Sequence, residues 1–184
     1  MKLPRLLLTR RLPDAVEAHL SLVFDVKRNV HDVPLDREAL RSAMQQFDAI
    51  CPTITDRIDA DLIDTAGRRV LILANLGAGV EHIDIGAAHR SGVIVTNTPD
   101  ALTDSTADLA MLLILMAARR AGEGERELRA GRWTGWRPTH LLGRSVAGRT
   151  LGLLGFGRLA QATAARARIR DEHRLPQPHS RDGR

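Results

Sequence analysis

Val70-Leu71-Ile72-Leu73-Ala74 runs straight into Asn75-Leu76-Gly77-Ala78-Gly79-Val80-Glu81-His82-Ile83-Asp84, and Ile83 to Arg90 then has helical spacing. A short apolar run, a loop with two glycines and a helical stretch, in that order, is one half of a βαβ unit. Two glycines beyond the carboxyl end of a parallel strand form a backbone N–H cradle suited to a small anion. Glycine there also serves a tight turn with no ligand, so the loop alone leaves both meanings open.

Working outward from this stretch, further strands are predicted at Arg5–Thr9, Leu22–Val26, Asp48–Cys51 and Val93–Thr96. Between them Pro13–Leu20, Leu35–Met44 and Asp59–Thr65 have helical spacing, with Asp14, Asp36 and Asp59 near their starts, where an acid suits the helix dipole. Alternation of this kind predicts an α/β fold, a flavodoxin-like doubly wound domain over residues 1–98. Thr98-Pro99-Asp100 ends the pattern, and Thr103 to Arg120 reads as one long helix. After a polar stretch containing Gly131-Arg132-Trp133, the run Thr150-Leu151-Gly152-Leu153-Leu154 reads as a new buried strand. Residues 99–167 are thus predicted to be the first part of a second, Rossmann-type domain, and residues 168–184, with no apolar periodicity, a disordered basic tail.

Hydrophobic residues at 43% and charged residues at 27% suit a globular chain. The net charge of +5 is almost all arginine, with Lys2 and Lys27 the lysines, and it is interleaved with Asp and Glu rather than gathered in a patch. With 3% aromatic residues and no Tyr to stack on bases, a nucleic-acid partner is not expected. The single Cys51 excludes an internal disulfide and any multi-cysteine metal site, and it reads as a small buried residue. No metal is expected. Leu6-Leu7-Leu8 is too short for a signal-peptide core, and Leu109 to Ala118 falls short of the roughly 20 residues that cross a bilayer, so no membrane partner and a cytoplasmic location are expected.

A second motif carries chemistry. Gly155-Phe156-Gly157-Arg158-Leu159-Ala160 matches G-x-G-x-x-G/A between the predicted strand and the helical run Leu159–Ala167. Gly155 permits the tight turn, Gly157 lets a pyrophosphate approach the backbone, and the N–H groups at the helix start supply positive partial charge.

Asn75–Asp84, then Val93 to Pro99, then Thr106-Ala107-Asp108-Leu109-Ala110, then the Gly155–Ala160 turn together resemble the D-isomer-specific 2-hydroxyacid dehydrogenases over about Leu3 to Arg166, with a lean toward the glyoxylate and hydroxypyruvate reductase branch. The resemblance implies two Rossmann-like domains in a homodimer and hydride transfer between NAD or NADP and a small 2-keto or 2-hydroxy acid. By position it places the substrate carboxylate on the backbone of Leu76 and Gly77, the nicotinamide near Thr106, and the cofactor pyrophosphate at Gly155, Gly157, Arg158 and Leu159. The family's catalytic Arg, Glu and His lie far beyond the glycine turn and have no counterpart here, so no catalytic residue is assigned and the chain is expected to be an inactive N-terminal fragment. A non-catalytic module that binds small carboxylates is the alternative. His19, His31, His82, His89 and His140 precede the turn and His173 and His179 follow it; each reads as a surface histidine.

The ribose-binding acid expected about 20 residues past the turn is also missing, where the chain reads Leu175-Pro176-Gln177-Pro178-His179. The change of character near Arg168 suggests a shifted reading frame. One allowed choice of codons for Arg168 to Arg181, read from its second nucleotide, gives GFGMSIVYHNRTR, a glycine turn followed by an alternating apolar strand. The Asn-Arg-Thr at its end, in place of an acid, favours NADP over NAD for the parent enzyme.

Overall fold

In the computed structural model, residues 2–167 are described. The tail and its proposed frame change lie outside them. The chain divides into two compact units, Met1–Ala101 and Leu102–Arg184.

The first unit alternates strand and helix: β1 (Arg5–Leu8), α1 (Asp14–Leu20), β2 (Asp25–Lys27), α2 (Arg37–Gln46), β3 (Ala49–Cys51), α3 (Ala60–Ile63), β4 (Ile72–Ala74), α4 (Ile85–Arg90) and β5 (Ile94–Thr96). All five strands are parallel, in the order β2-β1-β3-β4-β5, which is the doubly wound arrangement the sequence led us to expect. Alternation along the strands sorts the core into two layers. Leu7, Ile50 and Leu73 pack with Leu40 and Met44 of α2, Leu62 and Ile63 of α3, and Ala87 and Ala88 of α4. Leu6, Leu8 and Ala49 face the other way, with Leu12 beside them and Leu20 of α1 against them. Asp36, Asp59 and Asp84 cap α2, α3 and α4, each carboxylate accepting an N–H of the first turn. Asp14 is the first residue of α1 rather than its cap.

Two expectations need correction. The second strand begins at Asp25 instead of Leu22, because the N–H groups of Leu22, Val23 and Phe24 still bond back to His19 and Leu20 and prolong the end of α1. The ladder with β1 starts only where Asp25 pairs Arg5.

The second correction lies in the other unit, whose described residues form α5 (Thr103–Arg119), α6 (Ala121–Arg129) and α7 (Arg158–Arg166). The predicted strand over Leu151–Leu154 does not form. It has no ladder partner among the described residues, and Leu154 is fully exposed. An apolar run becomes a buried strand only when a sheet is present to receive it, so apolarity alone misleads here. What holds this unit is α5 against α7, where Arg166 bonds both Asp104 at 3.0 Å and Asp108 at 2.5 Å, one turn apart on α5. Gly143 passes so close to the end of α5 that a Cβ there would lie 2.7 Å from the Ala118 carbonyl.

Candidate functional site

β4 delivers the chain to the carboxyl edge of the sheet, where open parallel sheets bind ligands. Asn75 continues the ladder, its N–H donating to the Thr96 carbonyl at 3.0 Å. The Leu76 N–H turns to the Pro52 carbonyl at 2.9 Å. Pro52 is in turn fixed by the loop after β3, in which buried Asp56 accepts from Thr9 Oγ1 at 2.5 Å and from the Thr53 N–H at 2.8 Å.

Beyond Leu76, side-chain amides hold the carbonyls. Asn75 is 2% exposed. Its Nδ2 donates to the carbonyls of Gly77 at 3.2 Å and Gly79 at 2.9 Å. The Gly77 carbonyl also accepts the Thr98 N–H at 3.0 Å, and Asn97 Nδ2 donates to the Ala78 carbonyl at 2.7 Å. In a trans peptide the C=O and the next N–H point to opposite sides. With the Gly77 and Ala78 carbonyls held by these donors, the Ala78 and Gly79 N–H groups each point opposite to the carbonyl of their own peptide. Neither N–H has an acceptor among the described residues. Neighbouring backbone N–H groups turned the same way make an anion-binding concavity.

The sequence pointed to this loop but to Leu76 and Gly77 within it. The Leu76 N–H is spent on Pro52, and that of Gly77 bends back to the Asn75 carbonyl at 3.1 Å. The unspent donors come one and two residues later. Neither Gly77 nor Gly79 has a positive φ, so turn geometry does not explain the glycines. At Gly79 a Cβ would collide with the Glu81 carboxylate, which folds over the loop.

His82, expected on the surface, is half-buried, with Nε2 2.9 Å from Asn75 Oδ1. His140 is partly buried as well, its Nε2 2.9 Å from Glu127 Oε1. Cys51 is partly buried at the end of β3, and burial, with the Asp56 charge adding to it, pushes its thiol up to about 11. It therefore stays protonated at neutral pH and supplies no nucleophile.

In the other unit Gly155 has φ +85°, the left-handed conformation expected of the first glycine in the turn. Gly157 is the N-cap residue of α7, with no side chain capping the helix, and a Cβ there would meet nothing within 4 Å. The N–H groups of Leu159 and Ala160 have no acceptor among the described residues. The start of α7 thus has the open approach and donors that suit a phosphate group. Arg158 opens the helix, and Thr106 lies exposed in the first turn of α5. Among the described residues no group of His, Cys, Asp and Glu side chains could hold a metal ion, and no helix is long and apolar enough to cross a membrane.

The chain combines a parallel α/β sheet, with a two-glycine loop after β4, and a later glycine turn that opens a helix. It belongs to the D-isomer-specific 2-hydroxyacid dehydrogenases, whose catalytic-domain family model matches residues 6–173. Glyoxylate reductase from Thermococcus onnurineus is 40% identical over 169 residues, covering 90% of this chain and 50% of the relative. The TT0316 protein of Thermus thermophilus superposes with a TM-score of 0.81 at 37% identity, over 95% of this chain and 58% of that one. An NADPH-dependent glyoxylate/hydroxypyruvate reductase from Sinorhizobium meliloti, solved with NADP and malonate, superposes with a TM-score of 0.72 at 32% identity, over 90% of this chain and 50% of that one. The chain spans about half the length of the curated relatives it matches.

Proposed function

We propose that this chain supplies the substrate-side domain and the start of the NAD(P)-binding domain of an oxidoreductase that moves hydride between a nicotinamide and C2 of a small 2-keto or 2-hydroxy acid such as glyoxylate or hydroxypyruvate. The observation that carries the reading is the pair of unspent N–H groups at Ala78 and Gly79, held in place by Asn75 and Asn97. They receive the substrate carboxylate, a role the resemblance assigned to Leu76 and Gly77. Gly155, Gly157, Arg158 and Leu159 would hold the cofactor pyrophosphate, the Gly157 backbone giving close approach and the helix start giving donors. Thr106 lies near the nicotinamide in this reading. The bound nicotinamide supplies the hydride, with NADP preferred on the Asn-Arg-Thr of the alternative frame.

Reduction of a keto acid also needs a proton donor at the carbonyl oxygen and a cation to polarise it. No residue of the cradle fills either role: His82 Nε2 is bound to Asn75. The cradle therefore binds in this reading without itself supplying those two groups. A non-catalytic carboxylate-binding module is the second reading, favoured by the fact that every bond shaping the cradle comes from residues of the first unit.

Incubating the purified chain with glyoxylate or hydroxypyruvate and NADPH or NADH tests the reading. Missing acid and cation together cost several orders of magnitude in rate, so oxidation at the background rate is expected. Turnover well above background would show that this sequence carries a proton donor of its own. Binding of NADPH that is lost in Gly157→Val supports the dehydrogenase reading; carboxylate binding with no affinity for either nucleotide supports the module.

A further inference from the structure

We infer that His82 is a positioning residue of the carboxylate cradle, acting through Asn75. The inference rests on the reading of Ala78 and Gly79 as carboxylate donors.

A primary amide has one accepting and one donating end. Asn75 Nδ2 faces two carbonyls, those of Gly77 and Gly79, so its Oδ1 faces His82. Were the amide flipped, an oxygen would oppose both carbonyls and two bonds would be lost. Oδ1 can only accept, so the proton between the two side chains sits on His82 Nε2, 2.9 Å away. The other ring nitrogen points to the same tautomer, because Nδ1 is buried with no partner among the described residues, and a proton there would have no acceptor.

His82 is itself fixed to the core. Its carbonyl accepts the Ile58 N–H at 2.8 Å, and the Asp84 N–H returns to the Ile58 carbonyl at 2.9 Å, on either side of the bridge between Ile58 and Ile83. Ile58 and Ile83 are both buried. A chain of contacts therefore runs from the core through the imidazole to the amide, then to two loop carbonyls and so to the direction of the N–H groups beyond them. The consequence is specific: losing the His82 donor frees Asn75 to turn, and the cradle loses aim while the strands stay paired.

The test has two parts. In the wild-type chain, long-range proton–nitrogen spectra are expected to show His82 protonated at Nε2 and bare at Nδ1; protonation at Nδ1 alone would overturn the inference. His82→Met removes the donor and keeps bulk, and His82→Gln restores a donor near the same place. Pyruvate binding is expected to weaken about tenfold in His82→Met, the scale of one hydrogen bond, and to return to within about threefold of wild type in His82→Gln. Equal affinity in His82→Met and wild type would overturn the inference, as would a loss in His82→Met that His82→Gln does not reverse. A wild-type chain that shows no response to pyruvate contradicts the carboxylate reading instead. In that case the loop amides judge the relay: Ala78 and Gly79 resonances that move in His82→Met and return in His82→Gln uphold it, and unmoved resonances overturn it.

Discussion

Asn97 Nδ2 donates to the carbonyl of Ala78 at 2.7 Å, joining the chain just after β5 to the middle of the loop after β4 across 19 residues of sequence. That bond fixes the Ala78–Gly79 peptide, whose N–H points opposite to the held carbonyl. Asn97→Ala removes it at an exposed position, so pyruvate binding should weaken about threefold, the lower end for one hydrogen bond. Asn97→Asp should do more damage, since it replaces the donor with a charge that opposes both the carbonyl and an incoming anion. Isothermal titration of the three proteins checks the order; an Asn97→Asp chain that binds as well as wild type would contradict it.

Gly143→Ala should be among the most destabilising single changes in the second unit. The added Cβ would meet backbone, the Ala118 carbonyl at 2.7 Å and the Arg119 Cα at 2.9 Å, and the Arg144 N–H to Ala118 bond at 2.7 Å holds the two segments together. Backbone cannot swing aside as a side chain can, so a loss of about 2–3 kcal/mol is expected. Urea unfolding followed by circular dichroism at 222 nm would measure it, and Gly148→Ala, with open space around its Cβ but φ +68°, is a strain-only comparison.

Acid should weaken the first unit. Asp32 is held at about 2 by the hydrogen bond from Arg10 and the N–H of Arg11, below its ordinary 3.8. Asp48 is lowered by the Arg5 N–H and the Arg69 guanidinium, and Asp59 and Asp61 are lowered chiefly by Arg37 and Arg41. For a carboxylate whose folded value is depressed, stability is present above the unfolded value and lost as pH falls through the folded one. The urea midpoint should therefore be flat from pH 7 to about 4.5 and fall from there toward about 2. Asp32→Asn tolerates the positive φ of 51° at this position and should make the fall shallower. A midpoint that rises on acidification would contradict the pairing.

The 17-residue α5 exposes Leu109, Leu112, Leu113, Leu115 and Met116, each more than a third accessible, and buries only Ala107. Apolar area of this extent along one helix favours association. Sedimentation of the chain should show concentration-dependent oligomers, reduced in Leu112→Glu/Leu113→Glu. A wild-type monomer at every concentration would refute this.

The alternating fold was legible because its signals are local. β4 and the helices with Asp36 and Asp59 at their starts could be placed from apolar runs and caps. The run at Leu151–Leu154 was misread because strand formation depends on a partner that no local pattern reveals. Within the loop after β4 the resemblance pointed to the Leu76 N–H, but that group is taken by Pro52, 24 residues earlier in the chain, a long-range bond that glycine spacing cannot show. His82 was missed for the same reason: nothing in Val80-Glu81-His82 says that its imidazole lies against Asn75.

The central claim is that the loop after β4 binds a small carboxylate through the N–H groups of Ala78 and Gly79. Titrating the nitrogen-15-labelled 184-residue chain with pyruvate tests it most directly. Saturable shifts largest at the Ala78 and Gly79 amides, with little change at Leu76, are the expected result. Shifts centred on other residues, or none at those two amides, would contradict it.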